Sequence, residues 1–221
     1  ELREHTNTPL VRALSTVTGE RVRDELRGIS CIEPGEMAEK KMISSTRSFG
    51  KRVYDRRELE EAVATYIGFA CEKLRGQDSV ARGLVVFMRS NPFDEREPLT
   101  RSSLQTFLPS YTNDTRAFTT AGVELVRRMY RQGVGYKKAG VFLIDLTPRL
   151  GMQLDIFSPS ESDGGLMQAM DQINRKWGRG TIRMAATGTK QDWRMLCEKR
   201  SEKTQLKWDD LVEVRRERAR P

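Results

Sequence analysis

The sequence predicts an α+β protein built around a βαββαβ domain, the ferredoxin-like split arrangement, and three observations carry that expectation. Two segments place apolar residues at helical spacing, and four short segments around them are rich in β-branched and aromatic residues. The 221 residues also suffice for one such core with smaller flanking parts, since domains run to roughly 100–200 residues.

Taken in order, Leu10, Val11, Leu14 and Val17 fall at helical spacing, and Val22 and Leu26 lead to the stop signal Gly28. Residues 1–30 therefore read as the end of a helical domain. The chain begins with Glu1 rather than Met and reads as a portion of something longer. Residues 31–40, with Pro34 and Gly35, suit a linker. From Met42 to Tyr54, Ile43 and Phe49 alternate with small or charged residues, while Ser44, Thr46 and Ser48 share the opposite face of a strand. Asp55 with Glu58 is an acidic variant of a capping box. It opens a helix with apolar positions Leu59, Ala62, Val63, Tyr66, Ile67, Ala70 and Leu74, closed by Gly76. Leu84 to Met88 reads as a central strand, and Asn91 and Pro92 begin a charged loop. Leu104 to Leu108 alternates as a further strand. Asn113 and Asp114 can cap a helix whose apolar face is Phe118, Ala121, Leu125, Val126 and Met129, and Val141 to Leu146 is the last strand. This domain spans residues 41–150.

Residues 151–158 form a linker peptide, and the Ser-, Pro-, Asp- and Gly-rich stretch 158–165 makes a joint. Residues 159–221 are expected to form a small α/β module. Leu166, Met167, Met170 and Ile173 mark a helix closed by Trp177 and Gly178, a strand runs from Thr181 to Ala186, and a basic tail carries Arg215, Arg216, Arg218 and Arg220.

Net charge of +8, from 39 Lys and Arg against 31 Asp and Glu, favours an acidic partner, of which nucleic acid is the commonest. A basic globular protein without that role has the same composition. No run approaches the ~18 apolar residues of a membrane helix, and no signal pattern opens the chain, so a cytoplasmic location and no membrane partner are expected. Three cysteines, Cys31, Cys71 and Cys197, lie too far apart for a CxxC metal site and argue against a disulfide framework. The single histidine, His5, leaves little for His-based catalysis or His-rich metal sites.

In a βαββαβ domain both helices cover one face of the sheet and leave the other free. The candidate residues of that face are Lys41, Ser44, Thr46, Arg47, Ser48, Lys51 and Arg52 on or beside the first strand, with Lys137 and Lys138 before the last. Hydroxyls and cations of this kind suit a phosphate backbone and carry no base specificity. A solvated face studded with cations for solubility is the alternative.

Five short segments, in order, closely resemble UmuC-type Y-family translesion DNA polymerases, the family of the DNA polymerase V catalytic subunit and its plasmid-borne relatives. They are Glu25-Leu26-Arg27-Gly28-Ile29-Ser30-Cys31, Ser45-Thr46-Arg47-Ser48-Phe49-Gly50, Ala70-Cys71-Glu72-Lys73-Leu74-Arg75, Ser90-Asn91-Pro92-Phe93 and Tyr136-Lys137-Lys138-Ala139-Gly140-Val141. The resemblance implies that residues 1–30 end a thumb domain. It also implies that residues 41–150 are a little finger holding primer-template DNA, in an enzyme of the SOS response to DNA damage. It departs from the family at the palm, whose metal-binding carboxylates have no counterpart here. Two-metal chemistry needs carboxylates converging on ions about 3.5–4 Å apart. Asp145 ends an apolar strand with no second carboxylate and reads as a solvent-facing strand residue. No catalytic residue, metal site or cofactor is therefore expected in this chain. Magnesium is implied for a palm that it lacks, and alone it should not polymerise DNA.

Gln153-Leu154-Asp155-Ile156-Phe157 resembles the peptide by which bacterial polymerases bind the beta sliding clamp, with Leu154, Ile156 and Phe157 as apolar contacts and Gln153 at the groove rim. Otherwise Leu154, Ile156 and Phe157 cover the sheet edge. Trp193 and Trp208 either form a minimal core or stack on single-stranded DNA. The family associates this C-terminal region with a processed UmuD-like subunit and a recombinase filament.

Two other readings use the same residues. One is a regulatory module that binds the clamp or a partner without touching DNA. The other is a free-standing nucleic-acid-binding domain, which in its RNA-binding form stacks bases on sheet-face aromatics in a Lys/Arg-Gly-Phe/Tyr context that is missing here. Phe49 belongs by parity to the helix-covered side. A metal-dependent nuclease lacks the carboxylate cluster it would need.

Overall fold

The structure, a computed structural model, describes residues 8–31, 40–93, 99–150 and 164–195. The described residues fall into two compact units, divided between Lys40 and Lys41. In the first, helix α1 (Thr8–Leu26) stops where the sequence places its stop signal. Gly28 adopts φ +85, and the amides of Gly28 and Ile29 return to the carbonyls of Glu25 and Asp24, both at 2.9 Å.

The second unit runs β1 (Ile43–Val53), α2 (Arg56–Gly76), β2 (Ser79–Ser90), β3 (Arg101–Thr112), α3 (Thr115–Met129), β4 (Tyr136–Pro148) and α4 (Gly164–Trp177). This is the βαββαβ order, followed by a helix. Asp55 and Asp114 cap α2 and α3, each carboxylate accepting from the backbone N–H two residues on. The strands form one fully antiparallel sheet in the order β1-β4-β2-β3, which sets the first and last strands side by side.

Both helices lie on one face. Ile43 and Phe49 of β1, Leu84, Val86 and Met88 of β2, and Ala139, Val141 and Leu143 of β4 meet Leu59, Val63, Tyr66, Ile67 and Leu74 of α2 and Phe118, Leu125 and Val126 of α3 in a single core. A fully buried apolar side chain of this size contributes roughly 1.5–3 kcal/mol, so this layer dominates the stability of the unit.

Residues 164–195 pack on α2. The Arg75 guanidinium of α2 donates to both carboxylate oxygens of Asp171 of α4, at 2.6 and 2.8 Å, and Arg179 donates to Glu72. Trp193 is 2% exposed in the core, edge-on to the rings of Phe49 and Tyr66, which agrees with its reading as a core residue. The Gly50 amide donates to the Trp193 carbonyl at 3.0 Å. A Cβ on Gly50 would lie 2.5 Å from the carbonyl oxygen of Arg194, so this close approach requires glycine.

The strand expected over 181–186 is not formed. The side-chain amide of Asn174 takes both backbone groups of Ile182, accepting from its N–H and donating to its carbonyl, each at 3.0 Å. A short 3₁₀ turn, Ala185–Thr187, follows. The backbone groups that a ladder would have used at Ile182 are already satisfied by a side chain.

Candidate nucleic-acid interface

The face of the sheet away from α2 and α3 is organised in rows by the strand register. One row crosses all four strands as Ser48, Lys138, Arg89 and Arg101. The next is Thr46, Gly140, Phe87 and Ser103, then Ser44, Phe142, Val85 and Gln105. The last row is Ile144, Gly83 and Phe107. Cations thus crowd one end of this face and apolar groups fill its middle.

The cation row is the unusual element. Like charges directly opposite one another on neighbouring strands repel. Among the described residues no carboxylate is paired with Lys138, Arg89 or Arg101, and the Arg89 Nε is buried without a hydrogen-bond partner. An anion seated on the row would relieve both costs.

The aromatic part has its own geometry. Phe87 and Phe142 stack with centroids 5.6 Å apart at 30°, both half-buried, and Phe107 is half exposed. A Cβ on Gly140 would lie 2.6 Å from both Phe87 Cε1 and Thr46 Cγ2, so a side chain there would push the stack away from β1. The Arg82 guanidinium sits over the rings of Phe107 and Tyr111, 5.6 and 5.4 Å from their centroids.

The residues singled out in the sequence are divided by this geometry. Ser44, Thr46, Ser48 and Lys138 share the open face. Arg47 does not; by parity it lies with Ile43 and Phe49 on the helix side, where its charge acts on Tyr66 and Arg194. Lys51 pairs with Glu58 of α2 at 3.6 Å. Arg52 is half-buried at the irregular end of β1, and Lys41 is exposed ahead of the strand. Lys137 donates to the carbonyls of Phe49 and Gly50, at 2.8 and 3.4 Å, and so fastens the bulge between β1 and β4. Gln153, Leu154, Ile156 and Phe157 lie outside the described residues, as do Cys197, Trp208 and the arginine tail.

Arg89, Arg101, Phe87, Phe107 and Phe142 were not found by sequence reasoning. The signal was present as parity: Leu84, Val86 and Met88 alternate with Val85, Phe87 and Arg89. It was hidden because both sets are largely apolar, so the segment reads as a continuous buried run. Phe87, Phe107 and Phe142 give the open face the aromatic surface that Phe49 does not, without the Lys/Arg-Gly-Phe/Tyr context of RNA-binding domains.

Asp145 is exposed, with φ +56, and its carboxylate accepts from the Tyr111 hydroxyl at 2.9 Å and from Arg82 Nε at 3.2 Å. That hydrogen bond raises the Tyr111 pKa. The oxygens of Asp145 are engaged by organic donors, and no group of three His, Cys, Asp or Glu side chains gathers among the described residues. The donor set here does not fit a magnesium site.

A family described as the impB/mucB/samB family C-terminal domain matches residues 40–156, more than half of the sequence, and the chain belongs to it. Among curated relatives it is 36% identical over 213 residues to Protein UmuC of Salmonella typhimurium, covering 95% of this chain and 50% of that protein. It is 35% identical over 209 residues to Protein ImpB of the same species, covering 93% of this chain and 49% of that one. DNA polymerase IV of Bacillus velezensis is 24% identical over 200 residues, covering 82% of this chain and 44% of that protein. The chain thus spans about half the length of the curated relatives it matches. Residues 165–214 match a second family, a domain of unknown function (DUF4113). The structure of the insertion ternary complex of Dbh DNA polymerase aligns at TM-score 0.42 and 13% identity over 67% of this chain and 41% of that one, too slight a likeness to carry an argument. Among the described residues no helix is long and apolar enough to cross a membrane.

Proposed function

We propose that this chain is the DNA-gripping and clamp-tethering portion of an error-prone translesion polymerase. The open sheet face holds the phosphate backbone of primer-template DNA. The observation that carries this reading is the row Arg101, Arg89, Lys138, uncompensated by carboxylates among the described residues and continued by the hydroxyl of Ser48. Lys and Arg neutralise phosphates with release of counterions, and such contacts position DNA without reading its sequence. An enzyme that copies damaged templates gains from this, because phosphate positions change little when a base is modified.

The remaining parts follow the family. Residues 1–30 end the thumb, and residues 41–150 are the little finger. Gln153 to Phe157 deliver the enzyme to the beta sliding clamp, and the C-terminal region meets a processed UmuD-like subunit and a recombinase filament in the cytoplasm during the SOS response. Nucleotide transfer and its magnesium ions belong to a palm domain outside this chain. None of the residues placed here takes a catalytic role.

A salt series of primer-template binding tests the grip. If the row neutralises about three phosphates, the combined change Arg89→Ala, Arg101→Ala, Lys138→Ala should reduce the slope of log K against log salt by roughly 2.7. An unchanged slope would remove the open face from the interface. A second reading is favoured by the stacked pair Phe87 and Phe142: the same face stacks the bases of a single strand. Preference for oligo-dT over duplex would select it.

A further inference from the structure

The family of residues 165–214 carries no function in its description, and the structure offers one for part of it. Between α2 and residues 170–194 lies a groove with a cavity of about 150 Å³, lined on its apolar side by Phe69, Met170, Ile182 and Met184. A cavity of this size accommodates a benzene-sized group. Its frame is held in place. Arg75 binds Asp171 and also donates to the Asn113 carbonyl and the Thr115 hydroxyl, at 2.9 and 3.0 Å, while the amide of Asn174 fixes Ile182.

Charge around the groove is unbalanced. Arg75 and Arg179 are neutralised by Asp171 and Glu72. Arg183 and Arg194, which line the same groove, have no ion pair among the described residues, and neither has nearby Arg47. Burial, then the charges of Arg183 and Arg47, lower the pKa of Arg194, which places three cations in one another's field.

We propose that this groove docks a short acidic segment of a partner protein, with one bulky apolar side chain in the cavity and flanking carboxylates on Arg183 and Arg194. A phosphodiester chain fits less well. It would leave the apolar cavity empty, and the Phe69 ring that could stack a base is capped by the Arg179 guanidinium, 4.1 Å from its centroid. The groove lies on α2, on the opposite side of the sheet from the open face, so this proposal stands or falls apart from the DNA grip.

The test uses the full chain and a panel of fluorescein-labelled octapeptides, each with acidic residues flanking Leu, Ile, Phe, Met or Trp, read by fluorescence anisotropy. Controls carry Gly at the central position, to separate docking from plain attraction to a +8 protein. At least one peptide should bind about tenfold or more tighter than its Gly control. The combined change Arg183→Glu, Arg194→Glu should remove that binding by a similar factor, because like charges then face each other. Met170→Trp, which fills the cavity, should weaken the apolar peptides and leave the Gly controls unchanged. Arg183 and Arg194 are exposed, so the melt should match the parent; if it does not, Arg183→Gln with Arg194→Gln replaces the reversal. Failure of the whole panel overturns the proposal, as does binding indifferent to the arginines. Oligo-dT binding that depends on these arginines while no peptide binds would make the groove a nucleic-acid site instead.

Discussion

Arg75 and Asp171, ninety-six residues apart, form a two-pronged ion pair whose side chains are 8% and 19% exposed. It joins the helix that covers the sheet to the helix that begins the C-terminal region. Removing one partner leaves a buried charge uncompensated, so Asp171→Ala should destabilise the chain by about 3–5 kcal/mol, read from urea unfolding. Asp171→Asn, which keeps an acceptor, should cost less. Equal midpoints for parent and Asp171→Ala would mean that residues 164–195 do not rest on α2 in solution.

Gly50 and Trp193 give a second handle on the same contact. A methyl group at position 50 meets the Arg194 carbonyl, which is backbone and cannot swing aside. Gly50→Ala should therefore shift the emission of Trp193 to the red and cost about 1–3 kcal/mol. Trp193→Ala should cost about 3–5 kcal/mol through the cavity left against Phe49 and Tyr66.

Alkaline pH should destabilise the chain through its buried acidic groups, among them Cys71, Tyr66 and Tyr136. Burial pushes the Cys71 thiol from its ordinary 9.0 up to about 12, and burial likewise raises the Tyr66 phenol. Between pH 9 and 12 the folded state keeps the Cys71 proton that the unfolded state releases, so stability falls with rising pH across that window. The loss is up to about 1.4 kcal/mol per pH unit for one group. Cys71→Ala should flatten the slope above pH 9. Tyr66→Phe should flatten it from pH 10 upward with little change at neutral pH, because the Tyr66 hydroxyl is buried without a partner. Slopes identical to the parent would contradict the burial of these groups.

The aromatic rows separate the two ways of using the open face. Phe87→Ala with Phe142→Ala should weaken oligo-dT binding by about 1–3 kcal/mol per stacked base if bases stack there. A polymerase grip confined to phosphates predicts duplex binding with an unaltered salt slope in this variant. Anisotropy titrations on both substrates distinguish the outcomes.

Much of the fold was legible because local chemistry and tertiary packing agree. Asp55 and Asp114 cap the two core helices, and Ile43 and Phe49 point at them as their parity requires. What the sequence hides is pairing. Nothing local says that β4 lies between β1 and β2, so the row of Lys138, Arg89 and Arg101 could not be assembled from neighbours in the chain. The bulge misdirects in the same way, since Lys137 and Lys138 look equivalent until one is seen to hold the carbonyl of Phe49 and the other to face outward. The expected strand over 181–186 fails for a related reason. Its propensity is real, but a single asparagine eight residues earlier captures the backbone first.

The contact between Gly50 and Trp193 also bears on solubility. β1 is an edge of the sheet, and unpaired edges invite other chains to add strands and aggregate. The Trp193 carbonyl occupies the Gly50 amide, and Lys73 occupies the Ser44 carbonyl at 3.0 Å, so this edge is fenced at two points along its length. A chain cut short before residue 191 would lose one fence and bare the ring of Phe49 together, turning a protected margin into a template for self-association.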